Sequence, residues 1–244
     1  MTGSSPSAAT LKAADPPRIT PSAFVAAVGA VLLKDARAEF RTRYALNAVV
    51  LFAVTALVTV AMSVDGNDLS ADARAALLWT VVFFAAMSGL HRTFVREEET
   101  RTADALRLST PPVAVYLGKW AFNLALLVAL EVVITVLFVV MMHVRVSAWG
   151  WYLAALLLGD LGLVTVCTSM AALVARARTQ SALFAVICFP LIVPVLKLAV
   201  TITSVSLGGL MKPTLLPSAQ ALFAFAGLMF TASVMLFEII WQEA

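Results

Sequence analysis

The sequence predicts an all-α membrane protein with six transmembrane helices, an interfacial helix before them and a charged helix between spans two and three. The chain has 244 residues, of which 61% are hydrophobic and 13% charged. Soluble domains are about half apolar and about a quarter charged. Six apolar blocks approach the roughly 20 residues that cross a bilayer as a helix. These blocks are 46–64, 75–90, 120–142, 151–175, 181–205 and 219–240.

Three regions follow from this pattern. Residues 1–21 are rich in Ser, Ala and Pro, a composition typical of disorder. Residues 22–43 form a candidate amphipathic helix, in which an apolar stripe runs beside the basic residues Lys34, Arg37 and Arg41. Such a helix would lie in the membrane interface and anchor the first span, although a basic segment with no mechanical role is the alternative. Residues 44–244 form the six-span domain.

The distribution of Lys and Arg predicts how the chain crosses the membrane. Basic residues concentrate before the first span, between spans two and three, and after span four, all on one side. The opposite side has only Arg74, Arg145 and Lys212. Because the cytoplasmic side carries the positive excess, both termini are predicted to be cytoplasmic. The basic residues follow topology rather than forming one patch, which argues against nucleic-acid binding.

The stretch "FVREEETRTADALRLSTPP", residues 94–112, carries unusually many charges for an internal loop. Three glutamates stand where a helix would begin, and the helix dipole favours acids there. Glu97 also lies four residues before Arg101, the favourable order for an ion pair. The run from Ser109 to Pro112 predicts the end of this helix. The helix is either a docking surface for a soluble partner or a solvated loop.

Three polar residues lie inside predicted spans, where ionised groups are costly and often functional: Glu131, Asp160 and Lys197. We expect them to face the bundle interior or a partner subunit, and an inter-helix hydrogen-bond cluster is the structural alternative. Asp160 lies in "LGDLG", whose glycines would permit close helix approach. Pro190 and Pro194 predict a kink or break in span five, with a bent or re-entrant end.

Motifs for catalysis or cofactor binding are missing from the sequence. Nothing matches the phosphate-binding pattern G-x-x-x-x-G-K-[ST], so ATP would have to bind to another chain. Haem iron most often takes histidine ligands. The two histidines, His91 and His143, fall at opposite ends of predicted spans and cannot share one iron. We therefore predict no catalytic residue, metal site or directly bound cofactor.

Two stretches resemble a known family. "REEETRTADALRLSTPPVAVYLGK" resembles the loop of ABC-2-type permeases, which reads roughly R-E-x-E-x-G-T-L-[DE]-x-L, then Pro, then Gly-Lys at the start of the third span. Together with "LLKDARAEFRTRYALN" (residues 32–47), it makes the chain similar to the cytochrome c maturation protein B family, also called haem exporter protein B. The resemblance runs from about residue 23 to the end and implies the ABC-2-type permease fold.

The resemblance also implies partners and roles. The charged loop would be the coupling helix that an ATPase subunit contacts, with Arg92, Arg96, Glu97, Glu98, Glu99, Asp104 and Leu106 as the contact residues. The family acts in the bacterial inner membrane with an ATP-binding protein A, membrane proteins C and D, and a periplasmic haem chaperone, protein E. ATP hydrolysis by the partner would drive release of the haem-loaded chaperone, so this chain would not itself be an enzyme.

The residues alone are also compatible with two other functions. The chain is alternatively an ABC-2 permease that exports a lipid, glycan or drug. An alternative function of a different class is that of an ion-coupled carrier or intramembrane enzyme that uses Glu131 and Asp160. Two acids at the same depth in the membrane could share a proton. A co-purifying ATPase would distinguish the permease from the carrier.

Overall fold

The structure, a computed structural model, describes residues 20–42, 44–63, 69–90, 94, 97, 103–175, 180–209 and 213–243. These residues are almost entirely helical and contain no β-strand, so the predicted all-α class is confirmed. In chain order the helices are α1 (Pro21–Thr42), α2 (Tyr44–Ser63), α3 (Ala71–Leu90), α4 (Ala103–Ser109), α5 (Pro112–Met141), α6 (Trp149–Val174), α7 (Gln180–Gly208) and α8 (Leu215–Glu243).

Local sequence signals account for where several helices begin. Pro21 occupies the first position of α1, and the Thr20 hydroxyl accepts a hydrogen bond from the Ala23 amide at 3.4 Å. Ser70 caps α3 in the same way, accepting from the Ala73 amide at 3.2 Å. Pro112 starts α5, where a missing amide hydrogen costs nothing.

Five helices within the described residues are long and apolar enough to cross a membrane. They correspond to α3, α5, α6, α7 and α8, and they confirm a multi-span membrane protein. α2 coincides with the first predicted span, but the apolar part described, Val49–Ser63, is shorter. The count of six spans therefore stays a prediction.

α6 is the central helix of the bundle. It packs against α3, α5, α7 and α8 and is the most buried of the five spans. Two of its three glycines meet large neighbours: a Cβ atom on Gly159 would overlap the Trp79 ring, and one on Gly162 would lie 2.8 Å from a Val195 methyl. The close approach expected around Asp160 is therefore present on two sides of α6.

The predicted break and re-entrant end of span five are wrong, whereas the predicted kink stays a prediction. α7 runs without interruption from Gln180 to Gly208 and contains both Pro190 and Pro194. The two prolines are four residues apart and share the exposed face of the helix, whereas Ile192 and Val195 are buried. Packing of the buried face against α3 and α6 holds the helix together across the two missing hydrogen bonds.

Candidate functional site

Four charged side chains from three separate segments meet at the end of the bundle where α5 begins. The Lys119 ammonium group donates to Asp35 Oδ2 on α1 at 3.0 Å and to Glu97 Oε1, in the segment before α4, also at 3.0 Å. The Lys34 ammonium group lies 3.3 Å from Asp35 Oδ1 and also donates to Glu97. We call Lys34, Asp35, Glu97 and Lys119 the Lys119 cluster.

Burial makes the Lys119 cluster interdependent. Lys119 is 1% exposed and Glu97 is 5% exposed. Removing charges from water costs several kcal/mol per ion, which is offset only when each charge has close partners of opposite sign. Here two ammonium groups alternate with two carboxylates. Loss of Lys119 or Glu97 would leave a buried charge without its partner, at a cost of about 3–5 kcal/mol.

Lys34 is the more exposed lysine of the cluster. Burial lowers its pKa, but the hydrogen bond to Glu97 and the negative charges of Asp35 and Glu97 outweigh that effect. The pKa of Lys34 therefore lies above the ordinary value of 10.5. Lys34 remains a cation throughout the neutral range, so its attraction to Asp35 and Glu97 persists there.

A glycine beside Lys119 allows α1 to approach α5. A Cβ atom on Gly118 would lie 2.6 Å from Val31 Cβ and 2.9 Å from the Val28 carbonyl oxygen. Both neighbours belong to α1, and one of them is backbone that cannot rotate away. The Gly-Lys pair therefore has two linked roles: glycine permits the contact, and lysine holds Asp35 across it.

Aromatic rings extend the cluster towards α4 and α8. The Lys119 ammonium group lies 5.2 Å from the centre of the Phe94 ring, within cation–π range. The Phe94 ring contacts Phe237 and Trp241 near the end of α8, with ring centres 5.4 and 6.2 Å away. Arg107 of α4 stacks over the Trp241 ring at 4.8 Å. The segment before α4, α4 itself and α8 are therefore joined to α5.

The predicted ATPase contacts fall in different environments. Glu97 is buried in the Lys119 cluster, and Leu106 is half-buried against the hydrophobic core. Leu108, by contrast, is 91% exposed. Asp104 lies within α4, but its side chain is not described. The remaining predicted contacts lie outside the described residues: Arg92, Arg96, Glu98 and Glu99.

The basic residues predicted to form one stripe on α1 lie in two different environments. Lys34 joins the Lys119 cluster, whereas Arg37 and Arg41 are exposed. Sequence reasoning missed the pairing of Asp35 with Lys119. A usable signal was present, since Lys119 stands in an apolar stretch just before the predicted block 120–142, and a lysine in such surroundings usually needs an acid nearby.

A ladder of polar pairs continues from the cluster along the contact between α5 and α6. Trp120 donates from its indole nitrogen to the Thr165 hydroxyl at 3.0 Å, and the Asn123 amide donates to the Thr168 hydroxyl at 2.8 Å. The Tyr116 hydroxyl lies 3.1 Å from the Ser169 hydroxyl. These bonds fix the register of the two helices, because every pair would be lost if α5 slid along α6.

The two membrane acids lie together further along the same helix pair. Glu131 on α5 and Asp160 on α6 are buried and interact with each other. Neither oxygen of Asp160 nor Oε1 of Glu131 accepts a well-formed hydrogen bond within the described residues. The hydroxyls of Thr135 and Tyr152 are buried in the same region. Lys197 is exposed on α7 and does not join this acid pair.

The acid pair has no lysine or arginine partner in the part of the chain that the structure describes. Two buried carboxyl groups in contact cannot both ionise without a large energetic cost. The pair can therefore bind a shared proton, or form hydrogen bonds between helices as neutral acids. No group of three or more His, Cys, Asp and Glu side chains suited to a metal ion occurs among the described residues.

A known protein family matches most of the chain. A search of curated proteins found no relative. The family model described as CcmB protein matches residues 26–238, which include α2 to α7 entirely and most of α1 and α8. Its match contains the Lys119 cluster and the acid pair. Because this match covers most of the chain, the protein belongs to the CcmB family, the membrane permease subunits of the haem exporter in cytochrome c biogenesis.

Proposed function

We propose that this chain couples ATP hydrolysis by a separate ATPase subunit to haem delivery, releasing a haem-loaded periplasmic chaperone. The observation that carries this proposal is the position of Lys119. Lys119 belongs to the span α5, and its buried ammonium group contacts both α1 and the segment before α4. A force applied to the loop between α3 and α5 would therefore reach the membrane bundle through buried, paired charges.

The proposed partners are an ATP-binding protein A, membrane proteins C and D, and a haem chaperone, protein E. ATP would bind to protein A, and haem would be handled by the complex rather than held as a cofactor of this chain. We place the protein in the bacterial inner membrane with both termini in the cytoplasm. The excess of Lys and Arg on one side of the predicted spans supports this orientation.

The proposed mechanism is mechanical. ATP-driven closure of the ATPase would push on the loop that contains Glu97 and α4. Glu97 would transmit the movement to Lys119, and Arg107 would transmit it to Trp241 at the end of α8. Because packed helices shift between discrete arrangements rather than deform smoothly, such a push would repack the spans as rigid bodies.

Leu108 provides the sharpest test of docking. Its side chain is the most exposed large apolar group described, and it stands between Arg107 and Ser109 at the end of α4. We expect an aspartate there to repel an apolar contact while leaving the core intact. The matched control is Met62→Asp, since Met62 is 84% exposed and lies near the other end of a span.

The experiment is affinity purification of the tagged full chain expressed with its native operon. Wild type and Met62→Asp should retain an ATPase that Leu108→Asp loses. Proteins C and E beside the ATPase would support the haem-delivery role, whereas an ATPase without them would favour a permease for a lipid, glycan or drug. If no ATPase co-purifies with wild type in any detergent, the coupling proposal is wrong.

A second candidate function is an ion-coupled carrier, and the buried Glu131–Asp160 pair favours it. In this case, Glu131→Gln would abolish proton-dependent haem delivery while assembly and ATP hydrolysis persisted. Unchanged delivery in Glu131→Gln would leave the acid pair with a structural role alone.

A further inference from the structure

A cavity of about 690 Å³ opens at the end of the bundle where α5 stops and α6 begins. α3 contributes Arg74 to its lining, and the loop after α5 contributes His143 and Arg145. Small-molecule sites commonly have volumes of about 300–1,000 Å³. The cavity is therefore large enough for the polar end of a ligand. It lies at the opposite end of α5 from Lys119.

Among the described residues that line this cavity, the charged side chains are those of Arg74 and Arg145. Arg74 and Arg145 form no ion pair within the described part of the chain. Arg74 Nε is buried and donates to no acceptor there. An unmatched buried donor is unfavourable, and a planar guanidinium group fits a carboxylate or phosphate that supplies two oxygens. The lining is thus suited to an anion.

The backbone holds this lining in a defined shape. His143 follows the last turn of α5 and has a φ of 48°. At the ends of helices this left-handed conformation is usually occupied by glycine. The loop is then tied to α7, because the Ser147 amide donates to the Ser206 carbonyl at 3.0 Å and its hydroxyl donates to the Leu207 carbonyl at 3.3 Å. These bonds restrict the loop before any ligand arrives.

Apolar side chains form the rest of the wall. Val144 and Leu207 are buried, whereas Val140 is 65% exposed on the surface of α5. The cavity therefore opens beside the apolar exterior of a membrane span. A ligand bound here could keep an anionic group between the arginines and an apolar body along α5.

We propose that this cavity binds the carboxylate or phosphate of an amphipathic anion, with Arg74 and Arg145 holding the anionic group. Two sources share this chemistry: the propionates of a porphyrin and the phosphate of an anionic phospholipid. The porphyrin source rests on the proposed haem-delivery function, whereas the lipid source does not. Arg74→Gln/Arg145→Gln removes both guanidinium groups and is the test variant.

The test uses the full-length protein in nanodiscs of zwitterionic lipid, with empty nanodiscs subtracted. One arm measures equilibrium binding of haem and of its dimethyl ester, which lacks free carboxylates. The other arm adds phosphatidylglycerol and counts retained molecules by native mass spectrometry. The matched control is Arg176→Gln/Arg178→Gln, which removes two charges that the sequence assigns to the other side of the membrane. If the double variant does not fold, the single variant Arg145→Gln replaces it as the test variant.

The two sources give different supporting results. Haem binding that weakens by about tenfold or more in the test variant, with no such effect for the ester, would identify a porphyrin carboxylate. Phosphatidylglycerol retained by wild type and the control but lost from the test variant would identify a lipid phosphate. Equal binding of every ligand by all variants would overturn the proposal. Co-purification of the ATPase tests the proposed function separately, because it concerns the opposite end of the bundle.

Discussion

The ammonium nitrogen of Lys119 lies 3.0 Å from the Glu97 carboxylate, which joins the first part of α5 to the segment before α4. The same nitrogen lies 3.0 Å from Asp35 on α1. The proposed coupling depends on these two contacts of Lys119.

Replacing Lys119 with methionine should destabilise the protein strongly. Methionine fills a volume similar to that of lysine but carries no charge. Within the cluster, Asp35 and Glu97 would then share Lys34 as their cation. Breaking a buried ion pair costs about 3–5 kcal/mol. We expect a clear fall in Tm in detergent. Lys197→Met is the matched control, since Lys197 is exposed on α7. Equal Tm values for the two variants would contradict the role given to the Lys119 cluster.

A methyl group at Gly118 should push α1 away from α5. The added Cβ atom would lie 2.9 Å from the Val28 carbonyl oxygen, so a side-chain rotation cannot relieve the contact. We expect Gly118→Ala to lower Tm and to weaken disulfide crosslinking between cysteines placed on α1 and α5. Gly227→Ala is the control, because a Cβ atom there meets nothing within 4 Å. Alanine there should be neutral or stabilising by up to about 1 kcal/mol.

Alkaline pH should reveal the contribution of Lys34. A lysine whose folded-state pKa is raised stabilises the protein fully below its unfolded value of 10.5, and that stability is lost as pH rises through the folded value. Lys34→Arg keeps its charge over this range. We expect the Tm of wild type to fall more steeply than that of Lys34→Arg as pH increases beyond 10.5. Parallel curves would show that Lys34 does not contribute in this way.

Neutral substitutes for the membrane acids should be tolerated. Glu131→Gln/Asp160→Asn preserves shape while removing any possibility of buried negative charge, so we expect folding and Tm to be maintained or improved. Asn123→Leu provides a contrast, because it breaks a satisfied bond to Thr168 at 2.8 Å and should lower Tm. A large loss of Tm in the acid variant would indicate that an ionised carboxylate is needed for stability.

The lengths of the apolar blocks predicted where the helices lie better than individual residues predicted which side chains contact each other. Apolar blocks are local signals, and they located most ends of the described spans to within a few residues. The start of α5 is the exception, because the predicted block begins at residue 120 and the helix begins at Pro112. The continuous α7 shows where a local rule failed. Pro190 and Pro194 each remove one backbone bond, but packing of the opposite helix face is a tertiary effect that sequence spacing does not reveal.

The candidate site was only partly predictable for the same reason. The sequence singled out Glu97 as a charge in an unusual loop, and the structure places that charge inward against Lys119. The partner Asp35 lies 84 residues from Lys119, and only the fold brings them together. Likewise, the sequence singled out Arg74 and Arg145 only as charges on the side opposite to most basic residues. The cavity that they line depends on the path of the loop after α5.

The most direct test of coupling is the amount of haem-loaded chaperone released per ATP hydrolysed by the reconstituted complex. Wild type, Lys119→Met and Lys197→Met would be compared after confirming that each retains its ATPase subunit. We expect Lys119→Met to hydrolyse ATP but to release less chaperone per ATP, and Lys197→Met to match wild type. Equal release per ATP in all three complexes would contradict transmission of force through the Lys119 cluster.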